Sequence, residues 1–79
     1  MQKSISSKAY SVFLDHLRET REKLGITQED LAEKLGESQS FVSKCERGER
    51  RLDIVEVRQF CLAMNISLDK FIRGFEKKL

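Results

Sequence analysis

Seventy-nine residues with 15 Lys and Arg against 13 Asp and Glu, no proline, no tryptophan and 39% apolar side chains predict one small domain. A chain of this size buries only about 60% of its unfolded surface, which leaves little room for a deep, water-excluding catalytic cleft, so no catalytic residue is expected. His16 is the only histidine, and Cys45 and Cys61 lie far apart, so neither a metal site nor a cofactor is predicted and both cysteines read as reduced, buried hydrophobes. Residues 1–7 hold a lysine and lack a signal-peptide core, and no apolar run reaches membrane length, so a cytoplasmic protein without a membrane or small-molecule partner is expected. Residues 1–40 carry six basic and seven acidic side chains, residues 41–79 nine and six. The excess gathers in Lys44, Arg47, Arg50 and Arg51, a stretch that suits a polyanion.

Residues 1–6 read as a frayed tail, and Ser7 as the N-cap of a first helix with Tyr10, Phe13, Leu14, Leu17 and Leu24 as its apolar stripe and Gly25 as its stop. His16 beside Asp15 reads as a solvated pair on that helix. Thr27 with Asp30 makes a capping box, with Ile26 placed to staple onto Leu31, and Gly36 follows where a left-handed residue ends a two-turn second helix. Ser38 caps a third helix, residues 39–47, with Val42 and Cys45 facing inward. Asp53 with Glu56 opens a fourth whose buried face is Ile54, Val57, Phe60, Cys61 and Met64, ended by Asn65. Ile66 and Ser67 start a fifth, with Gly74 as its stop or weak point. The fold class is all-α, with five helices in a single domain over residues 1–79.

Small residues sit where two tightly joined helices must touch and turn. Ala32 faces the crossing, Gly36 allows the reversal, and Leu31, Leu35, Val42 and Cys45 close the shared core, so residues 28–47 form a helix-turn-helix pattern. The run Gly25 to Ala32 followed by Ser38 to Arg50 resembles the phage-repressor and Cro family, the XRE-type helix-turn-helix proteins, over residues 8–73. The resemblance implies a five-helix lambda-repressor-like fold whose third helix enters the DNA major groove, in a homodimer on a pseudo-palindromic operator. Cys45 departs from it, since the family usually carries a bulkier apolar residue there.

Within that frame Gln39, Ser40, Ser43 and Lys44 occupy the exposed N-terminal part of the recognition helix. Gln39 suits adenine, Lys44 suits guanine, and the serines suit several bases. Gln28, opening the second helix, joins Arg47, Arg50 and Arg51 as phosphate contacts. The resemblance also implies an ion pair between Arg21 and Glu46 that ties the first helix to the third. Phe41 has two readings, against the DNA backbone or a thymine methyl, or over the edge of the core. Leu68, Phe71, Ile72, Phe75 and Leu79 exceed what one short helix can bury and are read as a dimer interface. The expected function is a transcriptional regulator, most often a repressor in this family, on the nucleoid of a bacterium or acting for a phage. The alternative is an antitoxin or coregulator whose main partner is a protein such as a toxin.

Overall fold

The computed structural model describes residues 7–79, and the frayed tail expected over residues 1–6 lies outside them. The described residues form five helices and no strand: α1 Lys8–Lys23, α2 Gln28–Leu35, α3 Gln39–Glu46, α4 Ile54–Ala63 and α5 Leu68–Glu76. Each begins at a side chain that accepts from an otherwise unpaired backbone N–H: Ser7, Thr27, Ser38, Asp53 and Ser67. The boxes Thr27–Asp30 and Asp53–Glu56 are both closed reciprocally. Gly36 at φ 71° and Asn65 at φ 61° make the left-handed turns that end α2 and follow α4.

The core runs between the helices as one cluster. Leu17 of α1, Leu31 and Ala32 of α2, Val42 and Cys45 of α3, Phe60 and Cys61 of α4 and Phe71 of α5 are all buried in it. Both cysteines are free, and burial pushes their thiols up, that of Cys61 to about 11, so they are neutral hydrophobes at neutral pH. None of the described helices is long and apolar enough to cross a membrane.

Four expectations change once the helices are docked. Leu24, expected at the end of the α1 stripe, is the C-cap and is exposed, because the chain turns away there through Gly25. Ile54, expected in the buried face of α4, is 60% exposed: it is the first residue of the helix, and the core begins one turn later at Val57. Gly74 does not stop α5, which continues to Glu76. His16 is not solvated.

The last two share one cause. The His16 ring is buried against Phe71, at a centroid distance of 4.5 Å, and its Nε2 lies 2.8 Å from the Phe71 carbonyl oxygen. A carbonyl only accepts, so Nε2 carries the proton and Nδ1, buried without a partner among the described residues, is the bare nitrogen of a neutral ring. Gly74 stands over this ring, so its missing side chain makes the space that α1 needs to dock on α5.

Candidate nucleic-acid interface

The α2–α3 unit is held by one buried ion pair and the amides attached to it. Arg21 of α1 donates from Nε to Glu46 Oε2 at 2.6 Å and from Nη2 to Glu46 Oε1 at 3.1 Å. Its Nη1 donates to the Ile26 carbonyl at 2.7 Å, so one guanidinium ties α1, the turn before α2 and the end of α3. Arg21 is 7% and Glu46 6% exposed, and this bidentate geometry with a third bond is what makes a desolvated pair tolerable.

From Glu46 the bonding continues to the other end of α3. Gln28 Nε2 donates to Glu46 Oε1 at 2.9 Å, and Gln39 Nε2 donates to Gln28 Oε1 at 2.8 Å. The direction of these bonds is forced. An ionised carboxylate can only accept, so Gln28 must turn its nitrogen to Glu46 and its oxygen to Gln39, which answers with an N–H. Gln39 is left with its oxygen and one N–H outward, the acceptor and donor that match N6 and N7 of adenine. Gln28, expected as a phosphate donor at the start of α2, uses one N–H on Glu46 and its oxygen on Gln39, so it also orients Gln39 and keeps one N–H for another acceptor. Neither its spacing nor its helix position signals this role, since the three residues meet only when α2 lies across α3.

Gln39, Ser40 and Lys44 are exposed on α3, and Lys44 makes no ion pair or side-chain hydrogen bond among the described residues. Ser43 is half-buried and accepts from Arg47 Nη1 at 2.5 Å. The three arginines after α3 differ from one another. Arg47 Nε donates to Glu49 at 2.7 Å, and Arg50 lies 2.7 Å from Glu56 with its guanidinium 5.0 Å from the centre of the Phe41 ring. These bonds hold the carboxyls of Glu49 and Glu56 below the usual carboxylate range. Arg51 has no carboxylate partner among the described residues; it lies 4.4 Å over the Tyr10 ring, whose hydroxyl accepts from the Leu52 N–H. Phe41 packs beside Phe60, the core-edge reading of the two.

On α5, Phe71 is 2% exposed and faces inward, so it belongs to the core and not to an interface. Leu68, Ile72 and Phe75 are half-buried, and Leu79 is exposed. Ile72 and Phe75, with Tyr10, Phe13, Leu52, Ile54 and Val57, line an open apolar groove of about 360 Å³.

A helix-turn-helix family profile matches residues 17–71. Among solved structures, an XRE-family like protein from Pseudomonas syringae pv. tomato str. DC3000 is 43% identical, with a TM-score of 0.81 over 89% of this chain and 85% of that one. The restriction-modification controller protein C.Esp1396I, solved as a tetramer in complex with its natural 35 base-pair operator, is 28% identical, with a TM-score of 0.83 over 91% of this chain and 95% of that one. No curated protein matches the chain.

Proposed function

The chain belongs to the XRE family of helix-turn-helix proteins, and on that premise we propose that it is a sequence-specific, double-stranded-DNA-binding transcriptional regulator of the cytoplasm, a repressor that acts by occupying its operator. The observation that carries this is the outer face of α3, where the Gln39 amide is held in one orientation beside Lys44, which has no partner among the described residues. In the major groove Gln39 reads adenine, Lys44 donates to guanine O6 and N7, and Ser40 and Ser43 meet neighbouring base edges. Arg51 and, after exchanging Glu56 for phosphate, Arg50 hold the backbone.

Two copies joined through Ile72, Phe75, Leu68 and Leu79 would set their recognition helices about 34 Å apart, which calls for an operator with two-fold symmetry. Selection of bound duplexes from a random pool at roughly 150 mM salt tests the proposal. An inverted repeat with half-sites one helical turn apart supports it, and no enrichment overturns it. A second reading, a module whose main partner is a protein such as a toxin, draws on the apolar groove with exposed Ile54 on its rim. Alanine at Gln39 and Lys44, neither of which lines the groove, separates the two, because it weakens DNA binding and leaves a protein bound in the groove untouched.

A further inference from the structure

A serine hydroxyl carries one proton and two lone pairs, so on a groove-facing helix it can serve almost any base edge. Ser43 does not keep this freedom. Arg47 Nη1 donates to its Oγ, and the same guanidinium is gripped at Nε by Glu49 Oε2 at 2.7 Å. Arginine has no acceptor, so this bond runs one way: the serine oxygen receives, and the serine proton must go elsewhere. Thr20 sends its hydroxyl back to the His16 carbonyl of its own helix at 2.7 Å, but Ser43 makes no such bond among the described residues, so its proton stays available on the outside of α3.

We propose that Arg47, held by Glu49, is a specificity-determining positioning residue that makes Ser43 a hydrogen-bond donor toward the DNA. Ser43 then accepts a base that offers an acceptor in the major groove: guanine, adenine through N7, or thymine through O4. It disfavours cytosine, whose C4 amine is itself a donor and finds on Ser43 Oγ only the one lone pair that Arg47 leaves, beside a guanidinium that repels it. The inference rests on the operator-reading function above and goes beyond it, since it gives a residue otherwise assigned to the backbone a part in base choice.

The test compares the full chain with R47M, E49Q, S43A and the R47M/S43A pair in duplex selection, followed by titration of single-base variants of the selected site at several salt concentrations. Arg47 and Glu49 side chains are each about half exposed, so these variants should keep the fold, which circular dichroism checks. The expected result is that the wild-type chain disfavours cytosine about five- to tenfold at one position of each half-site. R47M and S43A should bring that ratio to within about twofold at the same position, E49Q should move it partway, and the double variant should go no further than either single one. A salt slope unchanged in R47M belongs to this outcome. Equal loss of affinity for all sequences in R47M, with the slope reduced by about one, would make Arg47 a phosphate contact and overturn the proposal. Unchanged cytosine discrimination in R47M and E49Q would overturn it as well. If the wild-type chain itself enriches no sequence, the operator-reading function fails and this inference falls with it.

Discussion

A Cβ built on Gly74 would stand 2.7 Å from Cε1 and 3.0 Å from Nε2 of His16, so the two residues fit only because one of them has no side chain. The ring cannot move aside freely, since it is packed on Phe71 and bonded to the Phe71 carbonyl. In a helix interior alanine ordinarily gains about 1 kcal/mol over glycine. Here the displacement should reverse that sign, with overpacking costing about 1–3 kcal/mol. Gly74→Ala is therefore expected to unfold at lower urea than wild type, and a higher midpoint would show that His16 swings out without loss.

The same histidine makes stability depend on pH. Burial is the main cause that lowers its pKa from the ordinary 6.5, with Lys78 adding in the same direction; the bond to Phe71 and the Glu19 carboxylate oppose it. A proton would have to enter at Nδ1, which has no acceptor among the described residues. Because the folded value lies below the unfolded one, the unfolded chain binds the extra proton first. Stability is thus complete above about pH 6.5 and falls as the pH drops below it, until the folded ring also titrates. Thermal melts from pH 7.5 to 5 should show a declining Tm that flattens in His16→Gln, which carries no titrating ring at that position. An equal decline in that variant would assign the effect to carboxylates such as Glu19, Glu49 and Glu56, whose lowered values act at lower pH.

Removing Arg21 leaves Glu46 buried without its counter-charge, and removing Glu46 leaves Arg21 only the more distant, exposed Glu22 at 3.9 Å. Arg21→Met and Glu46→Met should each cost about 3–5 kcal/mol in denaturant unfolding, and the double substitution less than their sum, because an apolar pair has nothing left to desolvate. Additive losses would mean that the two charges are solvated separately.

The amide bond between Gln28 and Gln39 predicts coupling in DNA binding. Gln28→Ala frees the Gln39 amide to rotate, so it should reduce the preference for adenine at the base Gln39 meets. Once Gln39 is alanine, the Gln28 change should matter little for that preference, and a double-mutant cycle measures the difference. Uniform weakening across all bases would instead return Gln28 to the phosphate backbone.

Ile72 and Phe75 border an apolar groove and leave part of their surface to solvent. Ile72→Glu puts a charge in the middle of that surface. It should shift sedimentation toward the monomer and weaken binding to a two-fold site far more than to an isolated half-site. A variant that stays dimeric would move the interface elsewhere.

Local signals made most of the fold legible. Caps at Ser7, Thr27, Ser38, Asp53 and Ser67 are questions of a side chain and a backbone N–H three residues on, and they hold whatever the rest of the chain does. Periodicity likewise placed Leu17, Leu31, Val42 and Phe60 inward, because a stripe of apolar side chains must find a partner, whereas Phe71, read as an interface residue, is turned into the core by the docking of α5. The same reasoning failed at the ends of elements, with Leu24 and Ile54, where the helix continues the pattern but no neighbouring helix covers it.

Sequence alone therefore determined the five helices, the family resemblance and which face of α3 is polar, since these depend on spacings within one segment. Tertiary structure decided the partners: that Gln28 answers to Glu46 and Gln39, that Arg47 turns back to Ser43, and that His16 lies under Gly74. Hydrogen bonds and close contacts depend on tenths of an ångström between atoms, and the residues that make them across helices are separated by spacings that carry no period.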